Sequence, residues 1–223
     1  MILLLLACTS SDDDSSLGDD TQAEVQLCSP LAGFEPGATA SFDTPQAVQD
    51  EKGYRYWYTQ TVEWMEVGYD ETRVVVTQQA WQTGGGYDSY SAELTLEYLC
   101  DADGVWYTSS RREWTGTLTG GGEDSGWVEG SFTGYLMLAA DPSTTWTADW
   151  TATFVDDGGT QVDDARTYLF TPTATETVET PAGSYTALRV DGTQAGAPIG
   201  TWWYAEGHGL VMTPERERVP AFE

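Results

Sequence analysis

The side chains in this sequence that could do chemistry are limited by their numbers. There is one histidine, His208, standing between Gly207 and Gly209. A Ser-His-Asp triad would have only that base, and a histidine-based zinc site only that ligand. Two flanking glycines make it read as a solvated turn residue. The single lysine, Lys52, follows Glu51 and not a glycine, so a Walker-type phosphate loop cannot form, and there is no Gly-x-Ser-x-Gly. Glycoside hydrolysis needs only two suitably spaced acids, but with 36 Asp and Glu such pairs arise by chance. Asp101 and Asp103 before Gly104, and Asp156, Asp157, Asp163 and Asp164, offer hard oxygens for calcium. Neither set follows the helical-hand loop, and both read better as hairpin turns. No catalytic residue, metal ligand or cofactor is assigned, and the chain is read as non-enzymatic, with a carboxylate-pair glycan hydrolase as the alternative.

Aromatic side chains are the other resource. Ten Trp are present, and Trp57, Trp64, Trp106, Trp146, Trp150, Trp202 and Trp203 fall mostly on strand positions. Wide rings there either fill a core or line a cavity for an apolar ligand. The net charge of −27 excludes nucleic acid as a partner, because phosphate binding depends on clustered cations. An anionic lipid surface would also repel it. Lys52 is the only lysine, eight Arg supply the other positive charges, and Asn is absent, which fits a GC-rich host from a saline habitat.

The elements that must position these residues begin after an unusual N-terminus. Leu3-Leu4-Leu5-Leu6-Ala7-Cys8 is a short apolar run ending in a small residue and a cysteine, followed by Thr9, serines and Asp12-Asp13-Asp14. Leu5-Leu6-Ala7-Cys8 resembles the lipobox of bacterial lipoprotein signal peptides, in which the cysteine receives diacylglycerol. That resemblance implies export, a lipid anchor on Cys8 and a cell-envelope location; Thr9 in place of Asp favours the outer membrane. No stretch approaches the ~20 apolar residues of a spanning helix. Residues 9–27 hold six acids and no base and read as a disordered, solvated linker. With Cys8 lipidated, Cys28 and Cys100 remain as an even pair, which an oxidising compartment would bridge.

Residues 28–223 read as a single all-β domain. From Gly53 onward, apolar and polar residues alternate with period two between Gly-rich turns, and no helix is evident. In Trp146–Phe154, Trp146, Ala148, Trp150, Ala152 and Phe154 share one face; in Ser91–Cys100, Leu94, Leu96, Tyr98 and Cys100 do, which turns Cys100 inward. Further strands are expected at Tyr54–Val67, Thr72–Trp81, Val105–Ser109, Arg112–Thr119, Trp127–Leu138, Arg166–Phe170, Thr175–Thr180, Tyr185–Val190, Thr201–Ala205 and Leu210–Thr213. An antiparallel sheet of this size must curl or close, because open twisted sheets rarely exceed ~10 strands. A single large curved sheet, half-barrel or barrel-like, is the expected fold.

The segment Glu176-Thr-Val-Glu-Thr-Pro181-Ala-Gly183-Ser-Tyr185-Thr-Ala-Leu-Arg189-Val190, with Thr201-Trp-Trp-Tyr204-Ala-Glu-Gly207-His-Gly209-Leu-Val211, resembles a pattern of uncharacterised bacterial envelope lipoproteins. Those proteins are similar to the lipoprotein-carrier superfamily, whose curved half-barrel shelters acyl chains. The resemblance covers residues 165–213 and implies fold and compartment. The combined expectation is a non-catalytic envelope protein anchored by Cys8, binding an apolar ligand or another envelope component, or serving as a structural or adhesive surface protein.

Overall fold

A computed structural model describes residues 28–221; Cys8 and the acidic segment 9–27 lie outside the described residues. A 3₁₀ turn, Pro30–Ala32, precedes strand β1 (Thr39–Asp43), and a short helix α1 (Gln46–Lys52) leads into β2 (Tyr54–Val67). Then follow β3 (Thr72–Gly84), β4 (Tyr87–Cys100), β5 (Gly104–Leu118), β6 (Glu123–Thr133), β7 (Leu136–Ala139) and β8 (Trp146–Asp156). The chain ends through β9 (Gln161–Thr180), β10 (Gly183–Gln194), β11 (Ala197–Ala205), β12 (Gly209–Thr213) and β13 (Arg216–Val219).

All pairings are antiparallel, and the sheet closes. The order β4-β3-β2-β1-β13-β12-β11-β10-β9-β8-β6-β5 returns to β4 through the β4–β5 ladder, making a 12-strand barrel with β7 laid on β5 beyond the end of β6. The expected curved sheet is therefore a closed barrel, and no half-barrel edge is left open. Closure joins the first and last strands of the domain, since β13 pairs with β1.

The structure corrects several boundaries. Val105–Ser109 and Arg112–Thr119 are one strand, β5, and Arg166–Phe170 and Thr175–Thr180 are both within β9. Trp127–Leu138, read as one strand, breaks at Gly134 (φ 80°), where a Cβ would stand 2.2 Å from the Asp149 carbonyl oxygen. There the chain leaves its ladder with β8 and continues as β7. Helix α1, capped at its C-terminus by Gly53 in the left-handed conformation, was not anticipated, nor were β1 and β13.

Alternation along the strands fixes what faces inward. On β8, Trp146, Ala148, Trp150 and Ala152 are buried while Thr147, Asp149 and Thr151 are exposed. The main core also takes Val62, Val74, Val76, Leu96, Val105, Leu138, Phe170, Val190 and Tyr204. Val178, Ala187, Ala205 and Val211 form a second cluster with Trp203 and Met212. Ala187 and Ala205 alternate with Leu188 and Tyr204, so this cluster lies on the other face of the sheet.

One end of the barrel is crossed by residues 28–38. Cys28 is bonded to Cys100 at the end of β4, with the Cα atoms 5.2 Å apart. Gly33 (φ 65°) lies against β12, where a Cβ would meet the Gly209 nitrogen at 2.4 Å, and the Gly37 N–H donates to the Val62 carbonyl on β2 at 2.9 Å. β4 and β12 are separated by four strands one way around the ring and six the other, so this strap spans the barrel mouth. Its side chains Leu31, Ala32 and Phe34 pack on the main core.

Candidate functional site

At the centre of the barrel is a cavity of about 210 Å³. It takes Ala32 and Phe34 from the strap, Tyr58 and Gln60 from β2, Val76 and Gln78 from β3, Tyr98 from β4, Met137 from β7, Phe170 from β9, Trp202 and Tyr204 from β11 and Leu210 from β12. Tyr135, between β6 and β7, completes the wall. These positions come from almost every side of the ring, so closure of the sheet is what creates the site. The walls mix aromatic and aliphatic surface with nearly as much polar surface, supplied by the tyrosine hydroxyls and the glutamines. Gln78 donates to the Gln60 amide oxygen at 3.3 Å. The hydroxyls of Tyr58, Tyr98, Tyr135 and Tyr204 have no hydrogen-bond partner among the described residues, and these side chains line the cavity.

Burial holds the acidity of these phenols far below normal. Tyr58, Tyr98 and Tyr204 are all shifted well upward by desolvation. The neighbouring phenols add to the effect at Tyr98, and Tyr135 adds to it at Tyr204. Tyr135 is pushed up to about 12 by burial, with Tyr168 and Tyr107 contributing. At neutral pH the site therefore offers neutral hydroxyls that donate or accept hydrogen bonds. Behind this wall, Trp150 stacks on Tyr135 with ring centres 5.5 Å apart, and Trp146 stacks on Phe170 at 5.3 Å. The indole N–H groups of both tryptophans are buried without a partner.

The tryptophans expected from the sequence fall into three places. Trp202 lines the cavity, its ring lying over Gly192 and Gly200, where an added Cβ would come within 2.6 Å and 2.9 Å of it. Trp146 and Trp150 are core residues. Trp57, Trp64, Trp106 and Trp203 occupy the alternate positions of their strands. Trp57 lies across from Trp81 with Arg55 over its ring, Trp64 is 46% exposed, Trp106 donates to Asp101, and Trp203 donates to Glu176. The tyrosines and glutamines of the cavity were missed. Their signal was present in the alternation Tyr54-x-Tyr56-x-Tyr58-x-Gln60-x-Val62, which puts polar-tipped side chains on an inward face.

The acidic turns are occupied by their own backbone. Asp101 accepts from the N–H groups of Asp103 and Gly104, and Asp156 from that of Thr160. Asp163 accepts from Thr153, and Asp164 pairs with Arg166. Among the described residues no group of three or more His, Cys, Asp or Glu is placed to hold a metal. The pKa of Glu217 is raised by burial and then by the nearby Asp43; Asp43 itself is paired with Arg55. His208 sits in the β11–β12 turn, its N–H donating to Ala205 and its ring against Tyr185. A larger depression of about 890 Å³ on the outside, bordered by Thr147, Asp149, Thr151, Thr167 and Thr193, is open to solvent.

Comparison with known proteins gives no matching family model, no matching curated protein and no matching solved structure.

Proposed function

We propose that this chain is a non-catalytic binding protein of a bacterial envelope, held to a membrane, most consistently the outer one, by lipid on Cys8, and that it carries a small, largely apolar ligand inside its barrel. The observation that carries the reading is the central cavity of about 210 Å³ with four unpartnered phenol hydroxyls on its wall. An apolar cavity of about 150 Å³ accepts benzene. The space here suits a body of roughly eight heavy atoms on that scale. A diacyl lipid is too large to be enclosed. The Cys28–Cys100 bond supports an oxidising compartment, and Leu5-Leu6-Ala7-Cys8 supports the anchor.

The test is native mass spectrometry of the full chain purified from bacterial membranes. A bound small molecule is expected in the parent protein and not in Leu210→Trp, which fills the cavity. A parent protein free of any ligand, or one whose ligand persists in Leu210→Trp, overturns the reading. Cys8→Ala is expected to move the protein from the membrane to the soluble fraction.

A further inference from the structure

The barrel end opposite the Cys28–Cys100 strap carries two arginines that form no salt bridge. Only nine positive side chains stand against 36 acids. Most of them are paired: Lys52, Arg55, Arg73, Arg111, Arg166 and Arg189 each contact a carboxylate. Arg112, Arg216 and Arg218 form no salt bridge among the described residues; Arg218 donates to the His208 carbonyl at 2.8 Å, beside the strap. By register Arg112 and Arg216 lie on the inward strand face, Arg216 half-buried opposite Thr213 and Arg112 still open to solvent at the rim. Arg112 pairs with Leu94 on one side and Val128 on the other, while its neighbour Arg111 contacts Glu113 and Glu129 on the outer face. Arg216 donates to the buried Thr44 hydroxyl at 3.1 Å.

The two guanidinium groups converge on a patch of phenols. Arg112 donates to the Tyr90 hydroxyl and stands 5.4 Å from the Tyr90 and Trp114 ring centres. Arg216 stands 4.6 Å from the centre of the Tyr56 ring. Tyr56 packs in the same cluster as Tyr90, Ala80 and Ala92, and both arginines act to lower its pKa against the upward push of burial. Tyr56 in turn lies 6.1 Å from Tyr58, which lines the cavity. Tyr56 and Tyr58 thus stand side by side between the two arginines and the cavity. Two arginines at one end with hydroxyl and carbonyl partners but no carboxylate leave room for an outside anion to complete them.

We propose that the ligand is an amphiphilic carboxylate, its head held between Arg112 and Arg216 beside Tyr56 and Tyr90 and its apolar body lying in the central cavity. This rests on the ligand-binding reading above and names the chemistry of the ligand. Two arginines set among neutral phenols suit a single negative charge. The surrounding −27 charge disfavours a dianion such as a phosphate monoester. The ligand enters at this mouth, since the strap covers the other.

The probes are octanoate and octanol, which share a chain and differ in head charge, titrated into the full chain by calorimetry. Octanoate is expected to bind at least ten-fold tighter than octanol, and Leu210→Trp to abolish both. The double substitution Arg112→Gln/Arg216→Gln is expected to erase the preference for octanoate, and Arg112→Lys/Arg216→Lys to keep part of it, which shows that charge and not folding is read. Equal binding of octanoate and octanol, or a preference that survives the double Gln substitution, overturns this inference alone. If neither probe binds, the ligand-binding reading falls with it.

Discussion

Trp202 and Gly192 illustrate how single residues shape the lumen. They face each other across β10 and β11, where Val190 pairs with Trp202 and Gly192 with Gly200. The indole occupies the space that side chains at 192 and 200 would need. In Gly192→Ala, the new methyl would start 2.6 Å from the ring and 3.1 Å from Ile199, so the ring must shift. We expect a loss of about 1–3 kcal/mol, seen as a lower urea midpoint, together with a change in tryptophan fluorescence. Tyr204→Phe should behave in the opposite way. Its hydroxyl has no protein partner, so removing it orphans nothing, and stability should change by less than about 1 kcal/mol while ligand affinity falls. A large destabilisation would mean that the hydroxyl is part of the fold and not of the site. Size alone marks the tryptophans, from the sequence, as fillers of a core or lining of a cavity. Strand parity, and not size, selects the lining, and it puts Trp57 and Trp203 on one face but Tyr58 and Tyr204 on the other.

Among the elements, strands with clean alternation were legible from the residues alone: β2 begins and ends where expected, and β8 begins at Trp146. Those with charges at inward positions were not. β5 reads from the sequence as two strands with Ser110-Arg111 between them, whereas the ladder to β4 runs through both residues. β13, Arg-Glu-Arg-Val, has no apolar alternation; it is a strand because β1 and β12 supply backbone partners on both sides. Closure of the barrel depends on that pairing, so the decisive contact was also the least visible. The strap was legible only through its cysteines. Bridging residues 72 positions apart removes enough unfolded-chain entropy for roughly 4 kcal/mol. Cys28→Ser/Cys100→Ser should lower the urea stability by an amount of that order and speed exchange of bound ligand by loosening the covered end. Unchanged exchange would show that the mouth at Arg112 and Arg216 alone controls access.

For the whole molecule, charge and buried phenols set the response to pH from opposite sides. A net charge of −27 means that the acids repel one another more than they are paired. Asp164 and Glu215 are held below their usual range by Arg166 and Lys52, and Asp191 by Thr201 and then Arg189. A lowered folded pKa contributes stability above the unfolded value and loses it as pH falls through the folded one. These groups are partly exposed, however, so water and salt screen that contribution. Protonating the unpaired acids relieves repulsion in the same range, and added salt should raise the melting temperature at pH 7 for the same reason. On the alkaline side the phenols act without screening. Tyr135 loses its proton near 12 in the folded barrel, against about 10 in the unfolded chain, and Tyr58, Tyr98 and Tyr204 are raised as well. Between those values the unfolded chain binds fewer protons, so stability is intact below pH ~10 and falls above it, by up to about 1.4 kcal/mol per pH unit for each phenol. We therefore expect maximum stability on the acidic side of neutrality and a cooperative alkaline unfolding in which tyrosinate absorbance and loss of β circular dichroism move together. Tyrosinate appearing at pH ~10 with the barrel intact would mean that water already reaches the lumen phenols.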